Sequence, residues 1–191
     1  MRGFLITLVA VVVAASCSFM KRHSVADYYP LRKDAAWTYR VTTYEQGPAG
    51  ESLVRTARVM SETGGEFLVK QGDESYTYVR TPEGIMKGRS RSFILKEPVE
   101  ADAAWTIEVS GGGLTLSGNA RVAAVGAAAT VPAGQFTDCA VVEETYQRVG
   151  RHVSTYCPGT GLVKLEVFET FGNSEKLLRK AELLAHEAGA Q

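Results

Sequence analysis

The sequence has no net charge, because its 21 lysines and arginines equal its 21 aspartates and glutamates in number, and the two signs are interspersed. This balance leaves none of the positive surface that nucleic-acid binding requires. Beyond residue 16 the chain also lacks an apolar run of about 20 residues, the length that a membrane-spanning helix needs. The remainder, residues 17–191, is long enough for one domain with a sizeable core.

Motifs for catalysis are missing as well. The sequence contains no Gly-x-Ser-x-Gly elbow, no phosphate-binding loop and no dinucleotide fingerprint. Glu143 and Glu144 are adjacent carboxylates, but neighbours on a strand point to opposite faces, so the two cannot act together as acid and base. We interpret each as a solvated or ion-paired surface group. We therefore predict a protein that is not an enzyme and has no cofactor.

Residues 1–16 have the composition of a secretory signal peptide: a positive start, an apolar run over residues 4–13, and small residues before Cys17. The segment before Cys17 resembles the lipobox of bacterial lipoproteins, in which the cysteine is lipidated and becomes the new N-terminus. The leucine usual three positions before the cysteine is Ala14 here. Ordinary signal-peptidase cleavage, with Cys17 an incidental leftover, is the alternative.

The resemblance to lipoproteins also implies a location. In Gram-negative bacteria an aspartate directly after the lipidated cysteine tends to retain the protein in the inner membrane, and this chain has Ser18 there. We therefore expect a lipid anchor in the outer membrane with the protein facing the periplasm, and acyl chains as its contact with the membrane. Residues 17–30, with Lys21, Arg22 and His23, are predicted to be the lipidated tether.

The most informative stretch reads as a β-hairpin. Residues 136–146 and 152–157 are rich in β-branched and aromatic residues, and the chain can reverse between them. If the reversal is centred near Arg148, Cys139 lies opposite Cys157, at about the 4.5–5.5 Å Cβ spacing of cross-strand neighbours. We predict a disulfide, which leaves Cys17 as the odd cysteine that lipidation explains.

A zinc site is the alternative for the hairpin cysteines. Cys139, His152 and Cys157 are residue types that ligate zinc. The set lacks a fourth ligand and the Cys-x-x-Cys spacing, and an exported protein meets an oxidising compartment. We therefore favour the disulfide and predict no metal.

An internal repeat constrains the architecture. The sequence Asp-Ala-Ala-Trp-Thr occurs at residues 34–38 and again at 102–106, and two further matches follow in the same order. Chance similarity in an alanine-rich chain is the alternative to duplication. We predict two repeated β-modules, residues 31–96 and 97–187, in one compact domain.

Short strands with regular turn signals predict an all-β fold, a curved antiparallel sheet or open barrel. The C-terminal run 176–186 has a composition that also suits a helix, and the repeat favours a strand there. Trp37 and Trp105 each open a strand, and with Tyr156 they could face a ligand or form the core. The predicted strands cover residues 37–44, 53–60, 67–70, 75–80, 85–87, 92–96, 105–109, 114–125, the hairpin, 162–170 and 176–186.

Three patterns carry a resemblance over nearly the whole mature chain: Pro-Leu followed by Trp-x-Tyr near residues 30–39, Val-Pro-Ala-Gly-x-Phe at 131–136, and Gly-x-Gly-Leu-Val-Lys at 159–164. They resemble an uncharacterised group of bacterial periplasmic and lipoprotein β-domains. This chain has Asp34 and Asp102 near the places where that group has glycine. Such domains are similar in outline to lipoprotein carriers of the LolA and LolB type, whose half-barrel has a concave apolar face.

The resemblance implies a non-catalytic envelope lipoprotein that binds an apolar ligand or a lipidated partner on its curved sheet. The hairpin fits this, because apolar residues occupy both of its faces and each face must be covered by protein or ligand. The apolar residues are Cys139, Val141 and Val153 on one face, and Ala140, Val142 and Tyr156 on the other. An envelope protein-protein interaction or assembly module is the alternative function.

Overall fold

The computed structural model describes residues 22–45, 50–88, 92–111, 114–147, 150–171 and 174–189. The predicted signal peptide, Cys17 and Lys21 lie outside these ranges, and so does Arg148 at the centre of the hairpin.

Strands dominate the described residues, with one short helix before them. The elements are α1 (Val25–Tyr28), β1 (Ala36–Thr43), β2 (Glu51–Thr63), β3 (Glu66–Gln71), β4 (Glu74–Thr81), β5 (Gly84–Lys87), β6 (Ser92–Lys96), β7 (Ala104–Gly111), β8 (Leu114–Val131), β9 (Gly134–Tyr146), β10 (Gly150–Cys157), β11 (Gly161–Phe171) and β12 (Ser174–Glu187). The C-terminal run with the helix-compatible composition thus forms a strand.

All twelve strands belong to a single antiparallel sheet, in the order β6-β5-β4-β3-β2-β1-β12-β11-β10-β9-β8-β7. The sheet is nearly closed into a barrel, and its two edge strands, β6 and β7, approach each other. This confirms the predicted all-β fold. Side chains alternate as the sequence predicts: on β1, Trp37 and Tyr39 are buried in the interior, and Arg40 between Tyr39 and Val41 is exposed.

Side chains join the two edge strands at a seam between β6 and β7. The indole N–H of Trp105 donates to the carbonyl of Phe93 at 2.9 Å. The Ser92 hydroxyl lies 2.7 Å from both the backbone nitrogen and the carbonyl oxygen of Glu108. One hydroxyl therefore satisfies the two backbone groups that a neighbouring strand residue would otherwise bind.

Helix α1 covers one end of the interior, which we call the closed end. A capping box starts the helix: the Ser24 hydroxyl accepts from the Asp27 amide, and the Asp27 carboxylate accepts from the Ser24 amide. The helix contacts β5, near one edge of the sheet, and also β10 and β11, which lie toward the other edge. It therefore crosses the interior of the nearly closed barrel. Val25 and Tyr28 are buried there. The described part of the predicted tether, residues 22–30, therefore includes a helix packed on the sheet.

The two Asp-Ala-Ala-Trp-Thr segments adopt the same local geometry. Asp34 and Asp102 both have φ of 65°, in the left-handed region that glycine takes most easily. The Asp34 amide donates to the Val59 carbonyl at 3.0 Å, and the Asp102 amide donates to the Val122 carbonyl at 2.8 Å. These conformations give a physical reason why the aspartates stand near positions where the resembling domains have glycine.

The β9–β10 hairpin has its reversal where the sequence places it. Tyr146 pairs with Gly150, and the register runs on to Ala140 opposite Tyr156. Cys139 and Cys157 follow in that register and form a disulfide with an S–S distance of 2.04 Å and a Cα–Cα distance of 4.2 Å. Both cysteines are fully buried.

Strand β8 is longer than the sequence predicts. It continues from Val125 to Val131 through a run of small residues, and its register against β9 shifts three times between Val122 and Ala129. The shifts are β-bulges or irregularities, of a kind that bends a strand. The turn after β8 reaches across the closed end to β12, where the Ala133 amide donates to the Leu183 carbonyl at 2.9 Å.

Candidate functional site

The closed half of the interior is filled by the protein's own aromatic side chains. The Tyr29 ring lies 6.0 Å from that of Trp37, 5.9 Å from that of Tyr78 and 5.7 Å from that of Tyr156. The indole N–H of Trp37 donates to the Thr160 carbonyl at 2.5 Å. Aromatic pairs at such spacings add to the free energy gained by burial, so this cluster acts as a core.

The three aromatic residues singled out from the sequence all lie within this packing. Trp37, Trp105 and Tyr156 are buried, at 2%, 8% and 6% exposure respectively. Trp37 and Tyr156 belong to the aromatic cluster. Trp105 donates a hydrogen bond to the Phe93 carbonyl across the seam. Gly161, from the Gly-Leu-Val-Lys pattern, lets the backbone pass close to Trp37: a Cβ there would lie 3.1 Å from the indole nitrogen.

Burial also fixes the charge state of the interior tyrosines. Desolvation raises the pKa values of Tyr29 and Tyr39 well above the ordinary value, and neighbouring tyrosines raise them further. The Tyr39 hydroxyl donates to the Leu162 carbonyl at 2.9 Å. These side chains therefore remain neutral hydrogen-bonding groups at physiological pH.

A polar cluster lies farther from the closed end, on β9 and β10. The Tyr146 hydroxyl donates to the Glu144 carboxylate at 2.8 Å, and Nδ1 of His152 is 3.4 Å from the same oxygen. The rings of Tyr146 and His152 are 4.9 Å apart. Glu144 and His152 face each other directly across the ladder. Burial, the Glu144 charge and its hydrogen bond all raise the Tyr146 pKa.

Lys87, on β5, approaches this cluster from the other side of the interior. Its ammonium lies 4.2 Å from the centre of the Tyr76 ring, and the Tyr76 hydroxyl donates to the Glu74 carboxylate. Desolvation lowers the Lys87 pKa, while the charges of Glu74 and Glu144 act in the opposite direction. Because β5 and β9 are far apart in the sheet order, an effect of Glu144 on Lys87 indicates that both side chains point into the interior.

Beyond these polar groups the interior opens at the end opposite α1, which we call the mouth. The β9–β10 turn at Gln147 and the end of β1 at Thr43 lie there. Three apolar side chains share the inward face at the mouth: Leu53 pairs with inward Val41, and Val109 pairs with Leu116. Leu53, Val109 and Leu116 are 45%, 42% and 37% exposed. These three apolar side chains are therefore partly uncovered at the mouth.

Glu143 and Glu144 point to opposite faces, as strand geometry requires, but Glu144 is not the surface group that the sequence suggested. Glu143 binds two arginines on the outer face, with Arg121 at 2.7 Å and Arg151 at 3.3 Å. Glu144 faces the interior, and its side chain is 16% exposed. From sequence alone, a charged residue is expected on the surface. The alternation of Glu144 with inward Val142 and Tyr146 was the signal that could have placed its side chain inside.

The hairpin cysteines and His152 do not meet as ligands. The two sulfur atoms are bonded to each other, and His152 lies on the inner face beside Glu144. Among the described residues, no group of three or more histidine, cysteine, aspartate or glutamate side chains could hold a metal ion. Nor is any helix of those residues long and apolar enough to cross a membrane.

No protein-family model matches the chain, and no curated protein matches it either. Among solved structures the chain is similar to a protein from Parabacteroides distasonis ATCC 8503 that is described as a candidate lipoprotein. The two are 13% identical with a TM-score of 0.46, and the match covers 84% of this chain and 98% of the other. A likeness this distant assigns no function to the chain.

Proposed function

We propose that this chain is a non-catalytic envelope lipoprotein, anchored through Cys17 in the outer membrane and facing the periplasm. In this proposal the mouth binds an apolar ligand or the acyl chain of a lipidated partner. The sequence supports the anchor through the signal-peptide pattern and the small residues before Cys17.

The observation that carries the binding proposal is the difference between the two halves of the interior. The closed half is packed with aromatic side chains, so it offers no room without repacking. At the mouth, Leu53, Val109 and Leu116 face inward and yet remain more than one-third exposed. Covering such side chains gains about 25 cal/mol for each Å² of apolar surface removed from water.

The polar groups beside the mouth suggest how a ligand would be oriented. Glu144, His152 and Tyr146 form one side and Lys87 the other. Binding sites typically combine an apolar lining with a few polar groups that fix orientation. We propose that the apolar part of the ligand contacts Leu53, Val109 and Leu116. Its polar end would reach the polar side chains beside the mouth. The sequence resemblance to lipoprotein carriers points in the same direction, although here aromatic side chains fill the closed half of the interior.

The test uses a soluble Cys17→Ser form and a dansylated fatty acid as the fluorescent probe. Leu116→Glu places a charge at the mouth and should weaken probe binding at least tenfold. Leu68→Glu is the matched control: Leu68 is 41% exposed, but it lies on β3 between inward-facing Phe67 and Val69 and so points outward. Its probe affinity should stay within twofold of the parent. Equal loss in both variants, or none in either, would exclude a ligand site at the mouth.

Two mass measurements complete the test. Native and denaturing mass spectra of the periplasmic Cys17→Ser protein show whether a small molecule co-purifies with it. For the anchor, the full chain expressed in a Gram-negative host should carry acyl groups at Cys17, while the Cys17→Ser chain should carry none. An unmodified Cys17 would contradict the anchor and leave the mouth proposal to be judged separately.

A second function is favoured by apolar side chains outside the interior. Val54 on β2 neighbours inward Leu53 and points outward, and it is 64% exposed. Leu68 on β3 also points outward, and it is 41% exposed. Exposed apolar side chains on the outer face of a sheet offer surface to a protein partner. If the probe does not bind, crosslinking from Val54 and Leu68 in the envelope becomes the measurement that identifies an interaction or assembly module.

A further inference from the structure

The chain enters the described structure at the closed end and is fastened there. The Arg22 guanidinium lies 3.2 Å from the Glu100 carboxylate, in the connection before β7. The Val25 amide donates to the Glu97 carboxylate at 2.6 Å. The Gly159 amide, in the turn before β11, donates to the Asp27 carbonyl at 2.8 Å. Contacts to two separate connections, one between β6 and β7 and the other between β10 and β11, hold α1 at the closed end.

The mouth lies far from this point. The Tyr28 hydroxyl donates to the Asp138 carbonyl at 3.0 Å, which places α1 beside the beginning of β9. The β9–β10 turn at Gln147 is nine residues further along the chain. A strand rises about 3.3 Å for each residue, so the distance from α1 to the mouth is about 30 Å.

The tether is shorter than this distance. Seven peptide units separate Cys17 from Ser24, the first residue whose backbone is bound to α1. Even when fully extended a chain spans at most about 3.6 Å for each residue, so the seven units reach about 25 Å. A body fastened at its closed end by such a tether keeps that end, and not the mouth, next to the membrane that holds the anchor.

We infer that the closed end of the barrel is the surface that faces the bilayer, and that the mouth opens away from it into the periplasm. This inference rests on the proposed lipid anchor at Cys17. The closed end would then contact a lipid surface. This orientation also means that whatever occupies the mouth arrives from the periplasmic side, and not directly from the leaflet that holds the anchor.

The experiment uses the full lipidated chain in vesicles of phosphatidylethanolamine and phosphatidylglycerol that contain a nitroxide on the lipid headgroup. Single cysteines receive a fluorophore, since Cys139 and Cys157 are bonded to each other and the Cys17 sulfur is acylated. Glu83→Cys labels the closed end, where the Glu83 carbonyl accepts from the Glu97 amide. Gln147→Cys and Glu45→Cys label the mouth, and the second serves if the first does not fold. All three side chains are exposed.

We expect the headgroup nitroxide to quench the fluorophore at Glu83→Cys at least threefold more than at either mouth position. Inserting twenty Gly and Ser residues after Lys21 should reduce that ratio, because the longer tether frees the body to rotate. Quenching at the mouth equal to or stronger than at Glu83→Cys would overturn the inference. Co-flotation with the vesicles and the mass of the acylated protein are measured first. A chain without acyl groups would contradict the proposed anchor and, with it, the inferred orientation.

Discussion

Removing the disulfide between Cys139 and Cys157 should destabilise the protein by an amount that can be worked out from its position. The bond links residues 18 apart in sequence, on neighbouring strands β9 and β10. Both sulfurs are buried, and the ladder continues on the other side of each strand, so the native hairpin stays paired without the bond. The main effect should therefore fall on the unfolded chain, which gains the entropy of an open loop.

In the chain-entropy model, a loop of 18 residues corresponds to about 3 kcal/mol at 25 °C. A single domain loses about 1–3 kcal/mol of stability for each molar increment of urea. Reduction should therefore lower the urea midpoint by about 1–3 M. The slope of the transition should rise slightly, because an unfolded chain without a crosslink exposes more surface.

The measurement is urea unfolding of the soluble Cys17→Ser form, followed by tryptophan fluorescence, with and without a reductant. Trp37 and Trp105 report from the interior and the seam. The double variant Cys139→Ala/Cys157→Ala is the control: its midpoint should match that of the reduced parent and should not respond to reductant.

The reasoning would be refuted if reduction left the parent midpoint unchanged, or if the double variant responded to reductant as strongly as the parent. A loss well above 5 kcal/mol would also contradict it. Such a loss would show that the bond holds native packing together in addition to restricting the unfolded chain.

Three further predictions concern the turns, the buried tyrosines and the seam. Asp34→Val and Asp102→Val should each cost about 1 kcal/mol of unfolding free energy, because a β-branched residue tolerates φ of 65° poorly, while Asp34→Gly should cost less; equal costs would contradict this. Burial raises the pKa of the interior tyrosines, including Tyr146, so the unfolded chain loses those protons first: stability should be complete below about pH 10 and fall above it, by up to about 1.4 kcal/mol per pH unit for each tyrosine. Unfolding measured from pH 8 to 11 tests this, and Tyr146→Phe should flatten the slope. Ser92→Ala removes both hydroxyl contacts to Glu108, and should speed hydrogen exchange at the Glu108 amide about fivefold, equivalent to roughly 1 kcal/mol; unchanged exchange would mean that the seam is held elsewhere.

Local patterns were enough to predict most of the sheet. Alternation of apolar and polar residues identified the strands, as on β1, because a side-chain period of two is a direct consequence of strand geometry. The position of the turn set the register of the β9–β10 hairpin, and with it the approach of Cys139 to Cys157. The repeat favoured a strand at the C-terminus where helix propensity alone was ambiguous, and β12 is there.

Other features depend on tertiary contacts that a local pattern does not contain. Helix α1 has four residues, and its one local signal is the Ser24–Asp27 capping box inside a segment that otherwise reads as a linker. The extension of β8 to Val131 runs through alanines, which have low strand propensity, and contact across the closed end stabilises it. The contact of Glu144 with His152 depends on the pairing of β9 with β10, which alternation along β9 alone does not contain.

The seam has a consequence for how this protein behaves among other chains. An exposed sheet edge presents rows of unpaired backbone groups on which another chain can add a strand, and such addition begins aggregation and fibre growth. Here the two edges of a twelve-stranded sheet face each other, and the side chains of Ser92 and Trp105 bind backbone groups across the gap. Each edge thus shields the other from foreign strands. Loss of the Ser92 hydroxyl would therefore expose the protein to polymerisation before it cost much of its folded stability, whereas Trp105 also belongs to the buried core.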